Sequence, residues 1–221
     1  MNKRSSISLA CLLSASLLAG TAFADDDTRT YEVTVTNLTR GVSFTPILAA
    51  THIDGVRLYQ LGQPASSALA VLAEGGETTP LATVLAATPH AHTATTTGQL
   101  APGKTVKLTL TAHEHASRIS LAAMMIPTND AFIAVNNMPL PKGKETVTFL
   151  SNGHDAGSEP NDELCINIPG PTCGGEGVSP HASGEGFVHI HAGIHGIGTL
   201  KAAEYDWRNP VARITVRRVA Q

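Results

Sequence analysis

The stretch Tyr31-Glu32-Val33-Thr34-Val35-Thr36 decides the fold class of this chain. Its apolar and polar side chains alternate, which is the period of a strand that buries one face. Further strand-like segments lie outward from it, at 106–110, 118–125, 132–136, 146–150, 186–192 and 211–219. About eight short strands separated by turn residues predict a mainly β protein, built as an antiparallel β-sandwich.

A short helical insertion interrupts these strands. Segments 66–74 and 80–87 are rich in Ala and Leu at helical spacing, and Pro80 suits the first turn of a helix. Two other segments lack either period and are predicted to be loops, at 90–98 and at 151–186. The sequence therefore predicts one β-sandwich domain that carries two short helices.

Composition excludes several classes of protein. The chain has 221 residues, with 15 Lys and Arg against 18 Asp and Glu, and its formal net charge is −3. No concentrated basic stretch is present, and binding to nucleic acid needs one. The hydrophobic content of 42% excludes a disordered chain, and the charged content of 15% excludes a coiled coil.

Residues 1–24 have the pattern of a secretory signal peptide. Lys3 and Arg4 form a basic start, and the apolar stretch 7–18 is too short to span a bilayer. An Ala-x-Ala cleavage site ends at Ala24. We therefore expect an exported protein, either secreted or periplasmic.

Lipidation at Cys11 is the other interpretation of this segment. It is less favoured, because Ser8 occupies the position of the lipobox leucine and the apolar stretch before Cys11 is short. Cleavage after residue 24 would leave residues 25–221, which we expect to form a single domain. We find no segment among them that is long and apolar enough for a transmembrane helix.

Cys165 and Cys173 remain as a pair after this cleavage. Two cysteines this close, in a loop rich in Pro and Gly, predict a disulfide in an oxidising compartment. Two free thiols are the alternative. Metal binding by the pair is disfavoured, because the spacing is not that of a zinc ligand pair.

Five segments, in the order of a known domain, carry a family resemblance. They are Phe44-Thr45-Pro46-Ile47-Leu48-Ala49-Ala50-Thr51-His52, the helical segment from residue 69, Ile126-Pro127-Thr128-Asn129-Asp130-Ala131-Phe132-Ile133-Ala134-Val135, His154-Asp155-Ala156-Gly157-Ser158-Glu159 and Val211-Ala212-Arg213-Ile214-Thr215-Val216. Together they resemble the spondin domain of F-spondin and mindin. With its bacterial-type signal peptide, the chain is similar to a stand-alone, prokaryotic-type secreted member of the spondin-domain family.

This resemblance implies a C2-like sandwich of eight strands, an extracellular recognition or adhesion role and no catalysis. It also implies a structural Ca²⁺ ion, held by Asp130, the main-chain carbonyl of Ile126 and Asp155. A further Glu of the family falls near Thr111, where this sequence has no carboxylate, and Ala131 replaces the signature Trp. The implied partner is an extracellular or cell-surface macromolecule whose identity is unknown.

The residues themselves give independent support for a hard cation. Asp155, Glu159, Asp162 and Glu163 lie within nine residues of a loop that also contains several Asn. Such carboxylates repel one another, and Ca²⁺ is coordinated by six to eight oxygens of this kind. The alternative is a solvated acidic loop with Asx turns.

Ten histidines include three His-x-His pairs, the last of which is His189 and His191. Residues two apart on a strand face the same side, so these two rings can reach one ion. With His195 they could bind Zn²⁺ or Cu²⁺, which makes a histidine-rich metal-binding protein or metalloenzyme the alternative function. The other interpretation is that these rings lie on the outer face and bond to loops. The sequence contains no zincin, nucleophile-elbow or P-loop motif, so a non-enzymatic module is favoured.

Overall fold

The computed structural model describes residues 28–179 and 183–219, and the predicted signal peptide lies outside these ranges. Within them the strands are β1 (Arg29–Asn37), β2 (Ser43–Phe44), β3 (Leu48–His52), β4 (His92–Thr95), β5 (Thr105–Ala112), β6 (Arg118–Ile126), β7 (Ala131–Pro139), β8 (Thr146–Ser151), β9 (Gly153–Asp155), β10 (His189–Ile190) and β11 (Ala212–Val219). The helices are α1 (Ser67–Gly75), α2 (Thr79–Ala86), α3 (Gly170–Cys173) and α4 (Ala202–Tyr205). None of the described helices has the length and apolar character needed to cross a membrane.

The strands form two antiparallel sheets. The first has the order β5-β1-β11-β8, and the second has the order β10-β9-β7-β6-β3-β4, with β2 paired to β6. Between them lies a core that includes Val33, Phe44, Met125, Val135 and Ile214. The predicted β-sandwich is confirmed, and the described residues contain eleven strands because several two- to five-residue strands extend the second sheet.

Helices α1 and α2 cover the outer face of the second sheet. Leu69 and Leu72 of α1 pack with Phe132 of β7 and Ala122 of β6 in a second apolar cluster. The N-cap Ser66 accepts a hydrogen bond from the backbone N–H of Leu69, as expected for a helix start. Both predicted helices are confirmed, and the second sheet is consequently buried on both faces.

Five parts of the second sheet differ from the prediction. Strands β2 and β3 have no counterpart among the predicted strands, β4 and β9 lie inside the predicted loops 90–98 and 151–186, and β10 covers only two residues of the predicted strand 186–192. All five residues of β3 are buried, so it shows no alternation of apolar and polar side chains. The described parts of the predicted loop 151–186, residues 151–179 and 183–186, are irregular apart from the last residue of β8, β9, α3 and one turn of 3-10 helix.

The disulfide between Cys165 and Cys173 is present, which confirms that prediction. The two cysteines are eight positions apart in the sequence, and their Cα atoms lie 4.7 Å apart. Ile168, inside this loop, is fully buried and belongs to the core between the sheets. The bridge therefore holds the loop against the sandwich.

Candidate metal centre

Strands β7 and β9 place Asp130 beside Asp155. Asp130 directly precedes β7, Asp155 ends β9, and the antiparallel register pairs Ala131 with Asp155. The backbone N–H of Ala156 donates to the carbonyl oxygen of Asp130 over 3.2 Å. The sheet thus brings together two carboxylates that are 25 positions apart in the sequence.

Asp130 is fully buried. Its Oδ2 accepts hydrogen bonds from the backbone N–H of Ser158 at 2.8 Å and of Glu159 at 3.1 Å, and from the Ser158 hydroxyl at 3.2 Å. Its Oδ1 has no hydrogen-bond partner within residues 28–179 and 183–219. Burial, followed by the charge of Asp155, raises the pKa of Asp130 to about 7.

Asp155 is also fully buried, and both of its oxygens have donors. Oδ1 accepts from the backbone N–H of Gly157 at 2.8 Å, and Oδ2 accepts from Nδ2 of Asn161 at 2.7 Å. Burial raises the pKa of this carboxyl group, although the two hydrogen bonds oppose the shift. Gly157 has a φ of +65°, and a Cβ there would lie 2.3 Å from the carbonyl oxygen of Phe187, so the turn after Asp155 requires glycine.

This pair fits a hard cation. Two adjacent buried carboxylates repel each other unless a proton or a cation lies between them. The unpartnered Oδ1 of Asp130 is an available oxygen ligand of the kind that Ca²⁺ prefers. Ile126 ends β6 four residues before Asp130, and the role of its carbonyl as a ligand stays a prediction.

Thr111 lies at the opposite end of the sandwich. The Oγ1 of Thr51 donates to the carbonyl oxygen of Thr111 at 2.5 Å, and Thr51 pairs with Ile119 near the start of β6. Ile119 and Ile126 are seven positions apart on one strand, which corresponds to roughly 23 Å. The position that the resemblance assigned to a further calcium ligand is therefore too far from Asp130 to act as one.

The loop carboxylates divide into distinct roles. Asp162 is a structural acceptor for Nδ2 of Asn129 at 3.0 Å and Nδ2 of Asn167 at 2.6 Å. Glu159 is buried, and burial raises its pKa to about 7. Neither oxygen of Glu159 has a hydrogen-bond partner in the described part of the chain. The predicted acidic cluster is thus only in part a solvated loop.

His189 approaches Asp155 from the other side. Its Nε2 lies 3.4 Å from Oδ1 of Asp155 and 3.8 Å from Oε2 of Glu185. Each of these three residues offers one potential ligand atom, and the three atoms all lie within 4.8 Å of one another. Among the described residues, this is the group of three metal-ligating side chains that meets that distance. Sequence reasoning missed Glu185, for which the available signal was its position four residues before His189.

The tautomer of His189 suits metal binding. Its Nδ1 lies 3.1 Å from the carbonyl oxygen of Ile190, so Nδ1 carries the proton and the Nε2 lone pair faces the two carboxylates. Burial lowers the pKa of this ring, but the Ile190 carbonyl and the neighbouring carboxylates outweigh burial, and the net shift is upward. The ring therefore takes up a proton more readily beside these carboxylates than it would in water.

His191 also lies beside Asp155, but its proton is on the other ring nitrogen from that of His189. Its Nε2 is 3.7 Å from Oδ2 of Asp155, and its Nδ1 accepts a hydrogen bond from the N–H of Gly193 at 2.9 Å. Burial first, then the charges of His189 and His195, lowers the pKa of His191 to about 4. The neutral ring therefore carries its proton on Nε2, which faces Asp155 as a donor rather than as a metal ligand.

His195 is exposed, and its backbone is fixed by Glu163. One carboxylate oxygen of Glu163 accepts from the N–H of His195 at 2.6 Å, and the other accepts from Gly196 at 2.7 Å and Ile197 at 3.0 Å. His195 borders a cavity of about 250 Å³ together with His189 and His191. The three imidazoles do not form a convergent ligand group in the part of the chain that the structure describes.

A separate open cleft of about 940 Å³ lies between β7 and β8. Its lining includes Tyr59 and His154, and the Tyr59 hydroxyl lies 2.9 Å from Nε2 of His154. Burial lowers the pKa of His154 to about 4 and raises that of Tyr59 to about 12. Exposed Leu61 and Leu150 stand at its rim, so the cleft combines apolar and polar groups as binding surfaces do.

Comparison with known families gives one match. The sequence model of the Spondin_N family matches residues 30–159, more than half of the chain. No curated protein matches the sequence. The matched region contains Asp130 and Asp155 but ends before Glu185 and His189. Because the match spans β1 to β9 and the observed fold is the expected sandwich, the chain belongs to the Spondin_N family.

Proposed function

We propose that this protein is an exported, non-catalytic binding module in which Ca²⁺ holds the loops around Asp130 and Asp155. The observation that carries the proposal is the pair itself: two adjacent, fully buried carboxyl groups, one with an unpartnered oxygen. The matched family is a non-catalytic module type of extracellular proteins. The disulfide agrees with an oxidising compartment outside the cytosol.

Calcium explains the pair better than a shared proton does. Protonation at Asp130 would satisfy the unpartnered oxygen only while the pH stays below its pKa of about 7. A divalent cation neutralises both carboxylates at any pH above that value, and backbone carbonyls can complete its coordination. The ion would then fix the turn at Ser158 and Glu159, whose N–H groups bond to Asp130.

In this proposal the module recognises an extracellular or cell-surface macromolecule. Adhesion of that kind requires a rigid surface rather than a reactive group, and the metal has a structural role only. The partner surface would lie on loops that the ion orders, because loops held by a rigid scaffold commonly carry binding function.

A transition-metal site is the second candidate. Asp155, Glu185 and His189 support it, because their ligand atoms lie within 4.8 Å of one another and His189 has the ligand tautomer. Imidazole with carboxylates suits Zn²⁺ and related ions. A metalloprotein or metalloenzyme would use this set, with the predicted His191 and His195 bordering it.

Metal analysis of the protein, purified without an affinity tag, separates the two candidates. The proposal predicts stoichiometric calcium, and a rise in melting temperature when Ca²⁺ is added to metal-free protein. Asp130→Asn should remove that response, whereas His189→Gln should leave most of it. Stoichiometric zinc or copper that is lost in His189→Gln and retained in Asp130→Asn would favour the second candidate, and the absence of both bound calcium and a calcium response would reject the first.

A further inference from the structure

Two of the three His-x-His pairs meet at the end of the sandwich opposite Asp130. We propose that His90 and His115, together with Glu114, form a second metal site that binds a divalent transition ion such as Zn²⁺ or Cu²⁺. The two pairs are His90 with His92 and His113 with His115, more than 20 positions apart in the sequence. This site shares no residue with the candidate metal centre.

The edges of the two sheets bring these pairs together. Strand β4 ends the second sheet and β5 ends the first. The backbone N–H of Thr111 in β5 donates to Nδ1 of His92 in β4 over 3.3 Å, which joins the two edges. His90 lies just before β4, and His115 lies just after β5, so both rings stand at the same corner of the sandwich.

The rings of His90 and His115 are in direct contact. Their centres are 4.8 Å apart, with an angle of 79° between their planes. Two imidazoles bound to one tetrahedral zinc ion at about 2.0–2.1 Å have ring centres roughly 5 Å apart. Two neutral imidazoles can pack edge to face without an ion, and the same separation lets both rings bind one ion.

Glu114 supplies the third ligand. Its Oε2 lies 3.8 Å from Nε2 of His115, and two ligand atoms on one tetrahedral ion are roughly 3.4 Å apart. As the side chains stand, the three residues do not bring all their ligand atoms within 4.8 Å of one another. All three side chains are exposed, so a rotation of His90 can close the set without a change in the core.

His92 and Arg29 support the site without binding the ion. Because Nδ1 of His92 accepts an N–H, the neutral ring carries its proton on Nε2 and offers no lone pair there. Arg29 donates through Nη2 to the carbonyl oxygens of His113, Glu114 and Ala116. These three bonds fix the turn that carries Glu114 and His115, which preorganises two of the three ligands.

The test is titration of tag-free, metal-free protein with Zn²⁺ and with Cu²⁺, followed by isothermal calorimetry. His90→Gln and His115→Gln should each weaken binding at this site at least about tenfold, since even outer-shell partners are worth about 10- to 100-fold in metal affinity. Glu204→Gln, an exposed carboxylate outside both candidate sites, is the control and should leave that affinity unchanged. Asp130→Asn should also leave it unchanged, which separates this inference from the proposed calcium function.

A second measurement uses the unmodified protein. Zn²⁺ should protect His90 and His115 from diethyl pyrocarbonate, as mapped by mass spectrometry, while Ca²⁺ should not. The proposal is overturned if transition-metal affinity is the same in a His90→Gln, His115→Gln, His189→Gln triple variant as in His189→Gln alone, a background that removes the histidine of the other candidate set. Equal modification of these two rings with and without Zn²⁺ would overturn it as well.

Discussion

Asp130 and Asp155 place two fully buried carboxyl groups side by side, and the charge of Asp155 helps to raise the pKa of Asp130. The two residues come from the start of β7 and the end of β9, which pair through Ala131 and Asp155. Their juxtaposition is therefore built into the second sheet, and it is the basis for the first two predictions.

Calcium should stabilise the metal-free protein through Asp130. Binding at a free Ca²⁺ concentration a hundredfold above Kd raises the free energy of unfolding by about 2.7 kcal/mol. Asp130→Asn keeps the shape of the side chain but removes its charge, so most of the rise in Tm should disappear. Asp54→Asn is the control, since Asp54 is an exposed carboxylate near the other end, paired with Arg118 at 2.7 Å. Scanning calorimetry measures both, and an unaltered calcium response in Asp130→Asn would contradict the site.

The same pair predicts an unusual pH dependence in the absence of metal. The pKa of Asp130 is 3.8 in the unfolded chain and about 7 in the folded protein, so folding favours the protonated form. This contribution to stability is complete below about pH 4 and is lost as the pH rises to about 7. The loss is on the order of a few kcal/mol at neutral pH.

Urea unfolding of Asp130→Asn beside the wild type measures this effect. At pH 7 without metal the variant should be the more stable protein, and the difference should vanish towards pH 4. Saturating Ca²⁺ should make the wild type the more stable protein at pH 7, because the bound cation then neutralises the Asp130 carboxylate. Two stability curves that stay parallel between pH 4 and 7 would show that Asp130 does not titrate as the burial implies.

His154 should act in the opposite direction. Burial lowers its pKa from 6.5 to about 4, so the folded protein holds the neutral ring. The contribution of the neutral ring to the free energy of unfolding is complete above pH 6.5 and is lost as the pH falls to about 4. His154→Gln should therefore gain stability relative to the wild type on acidification, in the pH range where the Asp130 effect vanishes. His195→Gln is the exposed control, and a constant difference between His154→Gln and wild type over this range would disprove the prediction.

Glu163→Gln should loosen the segment 195–197. The carboxylate accepts three backbone N–H groups there, and a hydrogen bond to a charged group contributes about 1.5–3 kcal/mol. We expect a loss of that order in the free energy of unfolding and faster hydrogen exchange at residues 195–197. Glu204→Gln is the matched control, since its exposed pair with Lys201 contributes little. Equal exchange in the two variants would rule out the anchoring role.

The disulfide should support the metal centre as well as the loop. Replacing Cys165 and Cys173 together by Ser should cost roughly 2.5 kcal/mol on the chain-entropy model. Asn167 in this loop bonds to Asp162, which in turn accepts from Asn129, the residue before Asp130. We therefore also expect a smaller calcium-induced rise in Tm in the double variant. Alkylation and mass measurement of the wild type should find no free thiol at these positions, and a full calcium response in the variant would break the proposed link.

Local patterns in the sequence were sufficient for the strands of the first sheet and for both helices. They were not sufficient for β3, whose Leu-Ala-Ala-Thr-His is buried on both faces and so lacks a period of two. Strand β4 contains His, Thr and Ala, and it pairs because β3 offers an edge rather than because of its own composition. Burial of a sheet face under helices and pairing at a sheet edge both depend on the tertiary structure, so a local sequence pattern does not indicate them.

The residues of the candidate metal centre were predictable to a similar extent. Asp130, Asp155 and His189 stand out in the sequence, through a family motif or a His-x-His pair, and the sheet does bring them together. Glu185 and Glu163 belong to no motif of this kind in the sequence. The role of Glu163 depends on N–H groups 32 to 34 positions later in the chain, so only the folded structure reveals it.

The cover of α1 and α2 over the second sheet leaves the first sheet as the one broad face that strands present to water among the described residues. Glu32 on that face is bonded to Lys107 at 3.3 Å and to Arg217 at 3.0 Å, with Thr side chains around them. Such a face stays hydrated and pairs its own charges, so a flat contact with it would be weak. If the protein binds a macromolecule as proposed, the loops at the ends of the sandwich are therefore better suited to that contact than this face.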